Sequence, residues 1–504
     1  YLKLNWRDHF VAKNDPNYAS FQSPRVNTGK WPKTSVLLSP RVGFNYDING
    51  DRSLVVRGGT GVFTGRVPLV FLVNMPTNSA MIQNTITVTD AKTLEKFKNN
   101  MLTNVDDMIK LLDAPTTPIY GDPNSTASRA SIAGIADDFK MPQIWKNTLA
   151  VDYRLPVSFP LTLTVEGMYN KDIYNVVMRN WNIVNNGNLS RFAGPDNRLD
   201  YSTSTTGNYL VDKNVTGGAV ILDNDTRGYS ASFNTMVTAE PIKDLNLMFS
   251  YTHQWAKEIT GLPGNQAYST WQGLYAVDGP NNAELHNAQY LTPDKLIASL
   301  TYRKDYGKYF ATSVGLYYAA YSSGMYNYYY SNDMNGDKNS FDLMYIPRTK
   351  DELKFVDKNG FTAAEQAEAF WRFVEQDKYL SAHKGEYAEA YGAALPWVHR
   401  FDLKVTQDFR LRAGKAIHTL QLSFDILNVG NLLKSSWGVT QTTSPSNYGK
   451  ILRYEGKDAN GVPTYSMGYN TVNKQKELYS RTYEPYRNSS NCWQMQIGLR
   501  YIFN

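Results

Sequence analysis

Residues 493–503 read WQMQIGLRYIF, and they alternate with Ile502 the one exception: Trp493, Met495, Ile497, Leu499, Tyr501 and Phe503 share one face, Gln494, Gln496, Gly498 and Arg500 the other. A period of two is the signature of a β-strand with one apolar side. Residues 400–410 repeat it, setting Phe401, Leu403, Val405 and Phe409 against Arg400, Asp402, Lys404, Thr406, Asp408 and Arg410. That second face carries too much charge for the inside of a sandwich. In a wide transmembrane barrel the lumen supplies water to such a face while the apolar side meets lipid. Arg400, Asp402, Lys404, Asp425 and Arg500 are therefore expected to point into the lumen.

The composition agrees. Aromatic residues make up 13% of the 504, with 36 Tyr against 21 Phe, yet the mean hydropathy is −0.46. No run approaches the roughly 18 apolar residues of a membrane helix, and a barrel strand needs none, because it shows lipid only every second side chain. The net charge of +6 is mild, and without a basic stripe nucleic acid is not an expected partner. One cysteine, Cys492, excludes an intramolecular disulfide framework and a cysteine zinc cluster.

The alternation recurs through Leu161–Tyr169, Leu245–Trp255 and Leu420–Ile426, in stretches that with their flanks reach the roughly 9–11 residues a tilted strand needs to cross a bilayer. Continued along the chain it predicts about eleven strands, near 36–48, 52–64, 143–155, 160–183, 228–240, 244–258, 294–304, 307–320, 397–410, 415–427 and 491–503. Short links at 49–50, 156–159, 241–243, 305–307 and 412–414 take turns with long excursions at 65–142, 184–227, 257–293, 321–397 and 428–489. In outer-membrane barrels tight turns are periplasmic and long loops extracellular, which would put Asn504 on the periplasmic side. Single-chain bacterial barrels close with even strand numbers. Eleven is thus read as half of a barrel of about 22, with Tyr1–Trp6 the end of a preceding strand. Two helices are expected in the loops, at 93–112 and at 362–380, the second opened by a capping box of Thr362 and Glu365.

Four stretches carry a family resemblance: SPRVGFNYDINGDRSLVVRGGTGVFTGRVP (39–68), LTVEGMYNKDIYNV (163–176), GEYAEAYGAALPWVHRFDLKVTQDF (385–409) and the ending GLRYIFN. They resemble the TonB-dependent outer-membrane receptors of the Oar-like branch of Bacteroidota. The resemblance implies an all-β, 22-stranded transmembrane barrel closed by an N-terminal plug, with a TonB box coupling it to the inner-membrane proton gradient. Residues 1–504 would then be the C-terminal portion of that barrel, the plug and N-terminal domains lying outside this sequence. Its expected partners are the TonB complex, the plug, lipid and lipopolysaccharide, and an unidentified extracellular substrate. Asn504 after the terminal aromatic Phe503 departs from the usual barrel ending.

The strongest ligand-like run is Asp333, Asn335, Asp337, Asn339 and Asp342, oxygen-bearing side chains at nearly every second residue, as an oxygen-coordinated calcium ion would need. It is not an EF-hand, because Gly336 stands fourth rather than sixth and no Glu closes the loop at the twelfth place. The competing reading is an Asn-Gly turn in a solvated loop. Tyr326, Tyr328, Tyr329 and Tyr330 precede the run and are expected to join Trp255, Trp397 and Trp493 in an interfacial girdle, or else to stack on substrate. Six scattered histidines lack metalloprotease spacing and are expected in solvent. Gly58-Gly59-Thr60-Gly61 lacks the Lys-Ser/Thr of a phosphate loop and is read as a strand that permits curvature or plug contact. No enzyme is expected. Active import through a plugged barrel is the leading reading, an adhesin or structural barrel acting through its loops the alternative, and an open diffusion pore a third.

Overall fold

The computed structural model describes residues 31–77, 89–98, 105–111, 132–183, 189–203, 218–414, 416–443, 449–486 and 488–503. Its frame is one antiparallel sheet whose main path takes eleven strands in sequence order. These are β1 (Arg41–Asp47), β2 (Leu54–Thr64), β3 (Gln143–Arg154), β4 (Leu161–Asn180), β5 (Tyr229–Ile242), β6 (Leu245–Glu258), β7 (Asp294–Tyr306), β8 (Phe310–Ser322), β9 (Trp397–Ala413), β10 (Ala416–Leu427) and β11 (Gln494–Phe503). Each lies where the alternation predicted a strand. Among the described residues β1 pairs only with β2 and β11 only with β10, so the sheet is open at both edges. The segment Tyr1–Trp6 lies outside the described residues.

Register turns the one-strand pattern into faces. Phe310, Phe409, Leu420 and Tyr501 are successive partners across β8 to β11, and all four rings or side chains are exposed on the apolar side. One residue along, Ala311, Asp408, Gln421 and Arg500 form the neighbouring row on the opposite side. Because side chains alternate strictly, a slip of one residue would exchange lipid-facing and polar residues throughout a strand. At Gly58 the sheet is tight. A Cβ there would stand 2.7 Å from the Thr148 carbonyl oxygen and 3.0 Å from the Phe44 ring, so the glycine of the Phe44 and Gly58 pair gives the ring its seat.

One end of the sheet has short turns. Asp47 accepts from the Gly50 and Arg52 amides, at 3.0 and 2.8 Å, where the chain takes positive φ. Gly307 and Gly414 likewise take left-handed conformations, which cost a residue without a Cβ nothing. At the other end the excursions fold into a layer with hydrophobic cores of its own. The first core joins helix Leu69–Thr77, strands Ile132–Ile135 and Ala219–Asp225, and Trp271; Ala219–Asp225 pairs with the upper end of β4. The second gathers Phe370, Phe373, Val374 and Leu380 with Tyr328, Tyr330, Ile346, Ile451 and Tyr465.

Several sequence expectations change here. The helix at 362–380 exists as Ala363–Gln376, opened by the reciprocal Thr362 and Glu365 bonds, but it breaks at Asp377, which caps a second short helix, Lys378–Ala382. The helix expected at 93–112 is described as Ala91–Lys98 and Val105–Leu111, with 99–104 outside the described residues. Leu94 is exposed, so the first of these does not bury the face its periodicity suggested. The tyrosines at 326, 328, 329 and 330 are neither a girdle nor a stacking platform: all four are buried in the loop layer. Their hydroxyls explain the burial, since Tyr328 donates to Asp377 at 2.6 Å and Tyr330 to Asp196 at 2.7 Å. Trp255, Trp397 and Trp493 stay exposed at the loop-side ends of β6, β9 and β11.

Candidate functional site: the polar wall and the loop layer

The polar face of the sheet is laced by ion pairs. Arg57 on β2 reaches Asp152 on β3 at 2.9 Å and Glu166 on β4 at 3.1 Å. Farther round, Asp408 receives Arg303 at 3.0 Å and the Gln421 amide at 2.8 Å, and Arg410 meets Asp305 at 2.9 Å. Lys404 and Asp425, register partners on β9 and β10, close to 2.6 Å. Of the five lumen residues expected from alternation, Lys404, Asp425 and Arg500 line a groove of about 570 Å³ on this face. Asp402 accepts from the Asn428 amide at 2.7 Å where β10 enters the loops. Arg400 stands on the same face of β9, two residues from Asp402.

Above the wall, a cavity of about 380 Å³ opens between loops, lined by Arg191, Tyr275, Asp278, His286, Tyr387 and Glu389 among others. Arg191 and Asp278 form a paired contact, 2.9 Å at its shorter arm. His286 is buried, with ring nitrogens 2.8 Å from the Asn287 carbonyl and 3.1 Å from that of Ile259. His253 meets Asp294 at 2.6 Å and His399 the Tyr318 hydroxyl at 2.8 Å, so these histidines have protein partners rather than water alone. Aromatic faces, carboxylates and a guanidinium around one opening suit a polar ligand with a hydrophobic face.

The Asp/Asn run is not a solvated turn. Asn335, Asp337, Asn339 and Asp342 are each at most 2% exposed. Asp333 accepts from the Gly336 and Lys338 amides, Asn335 from Asp337, Asp337 from Asn339, and Asn339 from Phe341, at 2.7–3.1 Å. Asp342 accepts from the Met334 amide at 2.8 Å. Burial pushes the Asp337 carboxyl up to about 7, helped by the Asp333 charge, and raises Asp342 well above the carboxylate range. Among the described residues no three His, Cys, Asp or Glu side chains come together tightly enough to hold a metal by themselves.

Sequence reasoning missed Arg198 and Asp196 beside this run. Arg198 is wholly buried, bonded to both Asp196 oxygens at 2.8 and 3.1 Å and to the Leu343 carbonyl at 2.6 Å. Burial opposes its charge, but Asp196, Tyr330 and Asp342 outweigh that and the net pKa shift is upward. The stretch around them, FAGPDNRLD, has no period, and only the Pro-Asp turn signal marks it.

No curated protein sequence matches the chain. Among solved structures, it is similar to the outer membrane transporter YddB from Escherichia coli, at 9% identity and TM-score 0.38, covering 91% of this chain and 40% of that one. It is also similar to the ferric enterobactin receptor of Pseudomonas aeruginosa, at 8% identity and TM-score 0.38, covering 92% and 39%. A third is BauA, the ferric preacinetobactin receptor from Acinetobacter baumannii, at 11% and 0.31, covering 81% and 33%. The chain thus spans 40% or less of the length of these structures. A family model matches residues 8–458, most of the chain, and by that match the chain belongs to the outer membrane beta barrel domain family.

Proposed function

We propose that the chain is the C-terminal wall and loop portion of an outer-membrane active transporter, a barrel of about 22 strands closed by a plug and energised by TonB. Extracellular loops capture a solute, the plug is remodelled, and the solute passes along the polar wall to the periplasm, where the C-terminus lies. The observation that carries this reading is the ion-paired inner face of an open sheet. Charged side chains such as Arg303, Asp408 and Arg410 on that face suit a hydrated lumen. The edges of β1 and β11, unpaired among the described residues, support further strands, because unpaired backbone groups in hydrocarbon cost several kcal/mol each. The Oar-like resemblance of residues 39–68 and 385–409 supports the plug and the TonB box. The cavity between Arg191, Tyr275 and Tyr387 is the proposed capture point.

The loop layer's own cores also suit a surface-display barrel, in which the loops themselves are the function. A density map of the full-length protein taken from outer membrane separates the two. About 22 strands around a folded lumen domain is the expected result. A closed barrel of fewer strands with an empty lumen overturns transport and leaves display.

A further inference from the structure

The Asp337 carboxyl is buried with one oxygen left over. The residue is 2% exposed; its Oδ1 accepts from the Asn339 amide at 2.7 Å, while its Oδ2 has no hydrogen-bond partner and no access to water. The Asn335 side-chain amide in the same loop is equally buried and lies beside this carboxyl, but its nitrogen has no well-aligned acceptor. Desolvating an ionised carboxylate without compensation is among the costliest arrangements a protein can hold. Arg198 favours the charge only through space, forming no ion pair with Asp337. Arg198 is committed to Asp196 and stands 3.8 Å from Asp342, which leaves Asp333 and Asp337 without a basic partner in the described contacts. Around Asp337 the oxygens of Asp333, Asn335, Asn339 and Asp342 each take a backbone N–H and keep further lone pairs.

We propose that this loop binds one divalent cation of the calcium class, with Asp337 Oδ2 as the ligand that has no other use. The three acids do not converge tightly enough to be a metal site alone. Calcium does not require that: it takes six to eight oxygens at flexible geometry, and amide and backbone carbonyls serve beside carboxylates. Asp333, Asp342, Asn335 and Asn339 would complete the set.

The cation would clamp three separate excursions. Asn335 receives the Tyr201 amide on its carbonyl at 2.7 Å. Asn339 donates to the Leu274 carbonyl at 3.0 Å, and the Gln272 amide donates to the Lys338 carbonyl at 2.8 Å. Gly279, at positive φ, passes over Asp337 so closely that a Cβ there would stand 2.8 Å from Oδ2. Segments 189–203 and 265–283 thus meet the Asp/Asn loop at one point, beside the cavity proposed above for capture. The clamp does not depend on transport being the function.

The test uses full-length protein purified in detergent and stripped of lipopolysaccharide, with Ca²⁺ and Tb³⁺ as probes. Expected are about one tightly bound ion per chain and, on adding EGTA, loss of hydrogen-exchange protection in 198–203, 270–282 and 329–346 with the strands unchanged. Asp337→Asn, close to isosteric, should weaken binding by more than the roughly 10- to 100-fold typical of outer-shell changes, while exposed Asp351→Asn leaves it unaltered. If wild type binds no ion and EGTA changes nothing, the carboxyl is held neutral by a proton and the proposal fails. If Asp337→Asn binds Ca²⁺ as wild type does, the assignment to this loop fails. If that variant does not assemble, the EGTA-induced loss of protection in the wild type decides: confined to the three named segments it supports the site, spread elsewhere it overturns it.

Discussion

Arg198 shows how one side chain can join elements far apart in sequence. Its guanidinium is wholly buried, forks onto Asp196, and lies 4.9 Å from the Tyr330 ring centre and 5.4 Å from that of Tyr387. A buried pair contributes little net stability over an apolar replacement, but deleting one partner strands the other charge and costs about 3–5 kcal/mol. Arg198→Ala should therefore unfold the loop layer locally, read as lost exchange protection in 341–346 and around 465 while strand amides stay protected. Replacing Arg198 and Asp196 together by apolar residues should recover much of that loss. Equal damage from the single and the double change would mean that the packing, and not the charge, is what matters there.

Helix Ala363–Gln376 and strand β2 set their own limits. The helix is held at its start by Thr362, whose hydroxyl accepts from the Glu365 amide at 3.2 Å, and on its inner side by Phe373, buried in the second loop core. Thr362→Ala should cost about 1 kcal/mol. Phe373→Ala should cost about 3–5 kcal/mol, by lost burial and the cavity left behind. Both losses should appear as exchange in the loop layer rather than as unfolding of the barrel. In β2 the reverse holds: Gly58→Val would press a side chain against the Thr148 carbonyl and the Phe44 ring. Overpacking of that kind costs about 1–3 kcal/mol, and it should lower the fraction migrating as heat-modifiable folded barrel.

At the scale of the molecule, the two faces of the sheet should respond oppositely to one substitution. Leu499 is 70% exposed on the apolar side of β11, near the middle of that strand, whereas Gln496 faces the wall opposite Asp425. Leu499→Arg should destabilise by about 2–4 kcal/mol in a bilayer, as a charge at the midplane does. Gln496→Arg, set beside a carboxylate in water, should change stability by less than about 1 kcal/mol. Denaturant unfolding in vesicles measures both. Similar losses from the two would reverse or abolish the assignment of lipid and lumen faces.

The sequence by itself determined the wall. Period-two patterning is local, each strand repeats it, and a strand that must be apolar toward lipid and polar toward water advertises both faces in ten residues, as 494–503 does. The turns were legible for the same reason, since Asn49-Gly50 and Gly414 mark a backbone that few other residues tolerate. The capping box at Thr362 was also local, and its hydrogen bonds lie within four residues. What only the tertiary structure decided is the loop layer. Tyr328 and Tyr330 look like interfacial residues in sequence, and they are core because Asp377 and Asp196, 49 and 134 residues away, accept their hydroxyl hydrogens. Asp337 reads as solvated until segments 201 and 274–279 close over it. Burial in such a layer comes from contacts between excursions separated by whole strands, and no local period records which excursion will cover which.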